Sequence, residues 1–196
     1  MPVSDVATKC YDVGIVLLSL NQPDEALAQL REALGLRRAS LGAEHPDTAA
    51  TMHAVAMALS RCVPPLLDEA MASAEAALVV RRARITSDAA TAAMGAAAET
   101  LLLLSVLHEA GHRTDHALTC AKEAVALERL ARPDAVECAV AMNHLSGLLL
   151  RSQPKTDAAS GEAEKLHEDA MRLLRARLGV DHPTIATALN NQALDL

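Results

Sequence analysis

The chain has almost no aromatic residues: Trp and Phe are absent, and Tyr11 is the only Tyr in 196 residues. Apolar residues still make up 51% of the sequence, and most of them are Ala and Leu. Ala and Leu favour helices, whereas the β-branched and aromatic residues that favour strands are scarce. We therefore expect an all-α fold.

The chain also has no excess of basic residues, and its formal net charge is −7. Nucleic-acid binding needs a basic surface and commonly aromatic stacking platforms, so we expect no direct nucleic-acid partner. The four cysteines show no paired CxxC spacing, which indicates reduced thiols in a cytoplasmic protein. They are Cys10, Cys62, Cys120 and Cys138.

Targeting and membrane segments are not evident either. The first residues, MPVSDVATKCYDV, lack the basic and then apolar layout of a signal peptide. The longest apolar stretch runs from Thr91 to Leu107, is rich in Ala and is interrupted by Glu99. We interpret it as a buried helix that is too short and too weakly apolar to cross a bilayer.

One phrase occurs twice. Residues 41–51 read LGAEHPDTAAT and residues 178–188 read LGVDHPTIATA. Gly42 and Gly179 are suited to the left-handed conformation that closes a helix. Pro46 and Pro183 are suited to the first turn of the next helix, where a missing N–H has no cost. Each copy therefore predicts the end of one helix and the start of another.

Between the two copies, helical segments and short breaks alternate, and alanines recur in the second helix of each predicted pair at spacings of 44, 47 and 46 residues. A helix pair repeated at this period is typical of an α-solenoid. We expect about nine helices in one right-handed solenoid over residues 1–196, with units at about 4–41, 46–85, 88–131 and 133–178 and a half unit at 182–196. The recurrent alanines, which let the partner helix approach closely, are Ala26, Ala70, Ala117, Ala163 and, seven residues later, Ala33, Ala77, Ala124, Ala170.

Gly14, Ala26, Leu30 and Ala33 follow the spacing of the tetratricopeptide repeat (TPR) family, which this sequence resembles. The LG-x-x-HP phrase, followed by LNNQALDL, is similar to the longer repeats of kinesin light chains. HEAT or armadillo repeats fit the period as a second choice. The resemblance implies that the first helices of the units line a concave groove that receives a partner peptide.

Several polar residues fall at equivalent places of these first helices: His53, Asn143, His144, Asn190 and Asn191. Asn is unfavourable in a helix interior because its side chain competes for backbone hydrogen bonds. Its repeated use predicts either a contact to a bound peptide backbone or a bond to a neighbouring helix, and both interpretations stay open.

Arginines recur late in the second helices, including Arg81, Arg82, Arg172 and Arg175. They can simply complement the negative end of the helix dipole. The alternative is a basic surface that attracts an acidic partner, as the kinesin light chain resemblance implies.

The segment HEAGH, from His108 to His112, has the letters of the HExxH zinc motif. Gly111 is expected to interrupt the continuous helix that this motif needs. A zinc-dependent hydrolase is therefore a remote alternative, and we expect no enzyme activity, no metal site and no cofactor.

The sequence predicts a noncatalytic protein-interaction scaffold or adaptor in the cytoplasm. The alternative is a structural subunit of a larger motor, ciliary or ribonucleoprotein assembly that uses its ends and edges. The ninth helix places Ile185, Leu189, Ala193 and Leu196 on one apolar face. We expect a partner subunit or a second copy of the chain to cover that face.

Overall fold

The computed structural model describes residues 3–85, 90–152, 157–179, 182–186 and 188, and these contain eight long α-helices and no strand. Residues 183–186 form a further helical turn. Helices adjacent in sequence pack together, and the most extensive contacts join α1 with α2, α3 with α4, α5 with α6 and α7 with α8. The predicted all-α solenoid of helix pairs is confirmed. The helices are α1 (Val3–Ser19), α2 (Pro23–Leu41), α3 (Pro46–Arg61), α4 (Leu67–Ala83), α5 (Ala90–Ala110), α6 (Thr114–Ala131), α7 (Val136–Ser152) and α8 (Asp157–Leu178).

The recurrent alanines lie where the helices of each pair meet. All eight are fully buried in α2, α4, α6 and α8. A methyl side chain keeps the two backbones close, and larger neighbours such as Leu30 and His167 are also buried there. The predicted role of these alanines agrees with the observed packing.

The described residues of the two copies of the repeated phrase have matching geometry. Gly42 and Gly179 have positive φ angles of 90° and 79°. The ring nitrogen Nδ1 of His45 accepts a hydrogen bond from the Asp47 amide at 3.2 Å. The second copy repeats this bond, from the Thr184 amide to His182 Nδ1, at 3.2 Å. The sequence predicted the roles of Gly and Pro, but not that the histidine caps the new helix.

Arginine side chains connect successive units. The Arg37 guanidinium of α2 donates from Nη1 to the Asp47 carbonyl at 3.0 Å and to Thr51 Oγ1 at 2.8 Å, both on α3. Arg81 of α4 repeats the arrangement on α5, where it contacts a carbonyl and Thr100 Oγ1. Each arginine therefore satisfies polar groups of the next first helix in the interior of the solenoid.

After α6 the arrangement differs, because the arginine forms an ion pair within its own unit. Glu128 is fully buried, and its carboxylate accepts from Arg132 Nη2 at 2.7 Å and Nε at 3.1 Å. Burial raises the pKa of Glu128, while the bond to Arg132 acts in the opposite direction. The guanidinium lies against Gly95, where an added Cβ would be 2.8 Å from it. A glycine at this place leaves room for the arginine.

Helix α8 begins at Asp157. Gly161 therefore lies inside the helix, where it has open space around it.

Helix α5 has 21 residues and is long and apolar enough to cross a membrane by length and composition alone. The expectation that this stretch is too short and too weakly apolar to do so was wrong. The helix packs between α4 and α6, and Leu101, Leu104 and Leu107 are buried. The central helix of a folded domain meets the same criteria.

We expect Gly14→Ala to destabilise the fold by about 1–3 kcal/mol, because its Cβ would lie 2.6 Å from Leu30 Cγ. Gly35 of α2 is the matched control, since a Cβ added there would have no neighbour within 4 Å. Gly35→Ala should stabilise the helix by roughly 0.5–1 kcal/mol. Urea unfolding of the two variants checks both signs, and equal effects would contradict the packing described for α1.

Candidate functional site

A groove of about 950 Å³ opens along the first helices of the units. Apolar side chains dominate its lining, and they come mainly from α3, α5 and α7, with Thr184 and Ala188 at one end. The exposed fractions of Val106 and Val140 are 47% and 42%, so apolar surface remains open to solvent there. The principal apolar residues that line the groove are Met57, Leu102, Leu103, Val106, Leu107 and Val140.

The groove carries one formal charge. Arg61 is the single Asp, Glu, Lys or Arg side chain among its described lining residues. Its Nη1 donates to the Leu18 carbonyl at 3.2 Å, which holds it beside the end of α1. A carboxylate on a bound segment would meet this guanidinium in surroundings of reduced polarity, where the attraction is stronger than in water.

Asn143, one of the predicted site residues, lines the groove and also contacts its own chain. Its Oδ1 is 3.0 Å from Nδ1 of the buried His167 of α8, so the imidazole N–H donates to the amide oxygen. This bond fixes the orientation of the amide. The NH2 group is then the part of the amide that can donate to a ligand.

His144 also lines the groove, and its Nε2 is 2.9 Å from Ser105 Oγ. The Ser105 hydroxyl donates to the Ala117 carbonyl at 2.9 Å. Since a hydroxyl has one proton, it accepts from His144, whose Nε2 therefore carries the hydrogen. Ser105 is fully buried and His144 acts as its donor, so the pair has the wrong polarity for an activated nucleophile.

His53 is placed apart from the groove lining. Its Nδ1 is buried without a hydrogen-bond partner among the described residues. Burial, with a smaller contribution from the positive charge of Arg81, lowers the pKa of His53 to about 3. The ring is neutral at physiological pH.

The remaining groove candidates, Asn190 and Asn191, lie outside the described residues. On the same predicted helix, Ile185 is buried, while Leu189, Ala193 and Leu196 also lie outside the described part of the chain. Their assignment to a binding face or an association face stays a prediction.

The four arginines proposed for an acidic partner fall into two groups. Arg81 donates inside the fold to the Ala96 carbonyl at 2.6 Å, and Arg82 forms an ion pair with Glu123 of α6 at 2.5 Å. Arg172 pairs with Asp169 at 2.8 Å but is strongly exposed, and Arg175 is exposed. Charge reversal at Arg81 or Arg82 would therefore disturb contacts between helices as well as any partner contact.

The sequence indicated that the HEAGH segment is interrupted, and the structure also shows that it is not one continuous helix. Helix α5 ends at Ala110, and His112 has a positive φ of 58° in the turn. His108 instead lies beside His116 of α6, with ring centroids 5.3 Å apart. Among the described residues no group of three or more His, Cys, Asp and Glu is placed to hold a metal ion.

Sequence reasoning missed the apolar lining of the groove. The stretch from Leu101 to Leu107 was interpreted only as a core helix, although its apolar residues extend around most of the helix. A helix that is apolar on nearly every side has more apolar surface than one core contact covers. That pattern is the signal that could have identified the groove residues.

Two segments of the chain match models of the tetratricopeptide repeat, over residues 5–61 and residues 161–184. Among solved structures, two crystal structures of a Podosopora anserina protein described as a kinesin light chain with nearly identical TPR-like repeats superpose with TM-scores of 0.69. They are 16% and 17% identical to this chain; each alignment covers 100% of it and 86% or 87% of the other chain. BtubC (BKLC) from P. vanneervenii superposes with a TM-score of 0.74 at 16% identity, over 98% of this chain and 72% of the other. Among curated proteins, no sequence matches.

The low pKa of His53 predicts that the protein loses stability in acid. Between its ordinary value of 6.5 and its value of about 3 in the fold, the unfolded chain binds a proton that the folded chain does not. Above pH 6.5 the titration of His53 does not lower the free energy of unfolding. As the pH decreases, the free energy of unfolding falls, by about 1.4 kcal/mol per pH unit below about pH 5.5.

Leu102 stands at the equivalent position of α5, so His53→Leu is the natural test variant. Urea unfolding between pH 7 and pH 4.5 should show a flatter pH dependence for the variant than for the native chain. Parallel curves would contradict a neutral His53 whose Nδ1 is buried.

Proposed function

We propose that this chain is a noncatalytic scaffold whose groove holds a segment of a partner protein. The chain carries tetratricopeptide repeats and has the fold of kinesin light chain-like repeat proteins. The observation that carries this proposal is the apolar groove of about 950 Å³ across α3, α5 and α7. A volume of this size is ample for several side chains of a bound peptide.

The chemistry of the lining indicates what kind of segment fits. The open valine and leucine side chains favour aliphatic residues, and burying them supplies the main driving force. The amide NH2 of Asn143 supplies donors suited to a backbone carbonyl. Arg61 favours a carboxylate at its end of the groove. We therefore propose an aliphatic segment with an acidic residue as the ligand.

Hydrogen bonds within the chain orient two groove residues, which favours binding with little rearrangement. His167 orients Asn143, and Ser105 orients His144, both through contacts within the chain. Side chains held before binding lose less conformational entropy when the partner arrives.

Val106→Glu should reduce peptide affinity at least tenfold, equivalent to about 1.4 kcal/mol, because a carboxylate would be buried against aliphatic side chains. The probe is a set of peptides selected on the native chain from a displayed random library, with Kd measured by fluorescence anisotropy. Val79→Glu is the matched control, since Val79 is 70% exposed on α4 and does not line the groove. Selected peptides that bind Val106→Glu as tightly as the native chain would refute the groove as the binding site.

Two substitutions separate the binding role of Asn143 from its structural role. Asn143→Asp keeps an acceptor for His167 but removes the amide donors, so it should weaken peptide binding while the chain stays folded. Asn143→Ala also removes the acceptor and should lower stability by roughly 1–3 kcal/mol. Unchanged Kd for the Asp variant would show that the partner does not use this amide.

A further inference from the structure

The last turn of α2 contains a sequence that basic-directed serine kinases select. Residues 36–42 read LRRASLG, which places arginines three and two residues before Ser40 and an aliphatic residue directly after it. No other Ser or Thr in the 196 residues follows an Arg-Arg-x arrangement. Two arginines before a serine match a kinase whose peptide site is lined by carboxylates, which hold guanidinium groups strongly.

We propose that Ser40 is a phosphorylation site, and that phosphate there loosens the junction between α2 and α3. Ser40, Arg38 and Leu41 are all exposed in the folded chain. The Ser40 hydroxyl donates to the Leu36 carbonyl at 2.8 Å. The nucleophilic oxygen is therefore at the surface and is held only by a bond within the helix.

The positions equivalent to Ser40 in two other units carry arginine. Arg84 stands 44 residues later in the second unit, and Arg177 occupies the same place before Gly179 in the second copy of the phrase. A cation is favourable in the last turn of a helix because the dipole is negative there. A phosphate on Ser40 would place a charge of about −2 at this point.

Phosphoryl transfer requires the last turn of α2 to open. The Ser40 oxygen attacks the γ-phosphorus of Mg-ATP, the bond from that phosphorus to ADP breaks, and the hydroxyl proton passes to the kinase base. The segment must become extended, which breaks the bonds of Ser40 to Leu36 and of the Gly42 amide to the Arg38 carbonyl at 3.2 Å. Gly42, with its positive φ, and the exposed residues after it favour fraying at this helix end.

Arg37 couples this opening to the next unit. In the closed fold it contacts the Asp47 carbonyl and Thr51, and its guanidinium lies 4.5 Å from the centre of the Tyr11 ring. A kinase that binds Arg37 must take it from these contacts. Afterwards the phosphate attracts Arg37 and repels the helix end, and both effects weaken the contact of α2 with α3.

The test uses the folded full chain with Mg-ATP and the catalytic subunit of cyclic-AMP-dependent protein kinase as the probe. We expect close to one phosphate per chain, located at Ser40 by peptide mass mapping, and less than a tenth of this in Ser40→Ala. Arg38→Ala should slow the initial rate at least tenfold. Arg175→Ala, which changes the equivalent exposed arginine before Gly179, should leave the rate unchanged.

A synthetic peptide of residues 34–44 verifies that the kinase is active. If the peptide is phosphorylated and the folded chain is not, the fold conceals Ser40 and the proposal fails. Hydrogen exchange tests the effect on the junction: amides of residues 36–48 should exchange at least tenfold faster after phosphorylation, with residues 172–179 of the second copy as the reference. Equal exchange before and after modification would refute the loosening of α2 and α3.

Discussion

The solenoid depends on the close approach of paired helices, which a methyl group at each contact point permits. Two alanines, seven residues apart, lie on each of the four second helices, and all are inaccessible to solvent. Larger side chains at these points would separate the backbones and leave the neighbouring leucines poorly packed. The same constraint explains Gly14, where α1 approaches Leu30 too closely for even one more carbon atom.

Close packing of helices makes the polar groups between them important. Arg37 and Arg81 satisfy carbonyl and hydroxyl groups of the next unit, and Ser105 and Ser146 donate to the carbonyls of Ala117 and Ala163 within their own units. Burying these groups unpaired would cost more than each bond returns. The side chains that hold the units together therefore also determine which groove atoms remain available to a ligand. Asn143 is an example, since its oxygen is engaged by His167.

The fold was largely predictable from the sequence, because the alanine spacing and the two LG-x-x-HP copies depend on local geometry that repeats along the chain. The candidate site was less predictable. Asn143 and His144 were correctly expected in first helices, but the open leucines and valines of α5 and α7 were not identified. Periodicity shows that a helix is apolar on many sides, whereas neighbouring helices determine which of those sides stay uncovered. The contacts of Arg81 depend on a helix that begins nine residues later, so a helix-dipole argument could not reveal them.

The junctions at Gly42 and Gly179 carry their own capping groups, since the glycine, histidine and proline that build each turn lie within five residues of one another. Such a junction needs little from the surrounding structure to form. Gene duplication or excision between two copies would then lengthen or shorten the array by whole helix pairs while leaving every remaining turn intact. The reach of the binding surface is in this sense an evolvable length, set by how many helix pairs lie between such junctions.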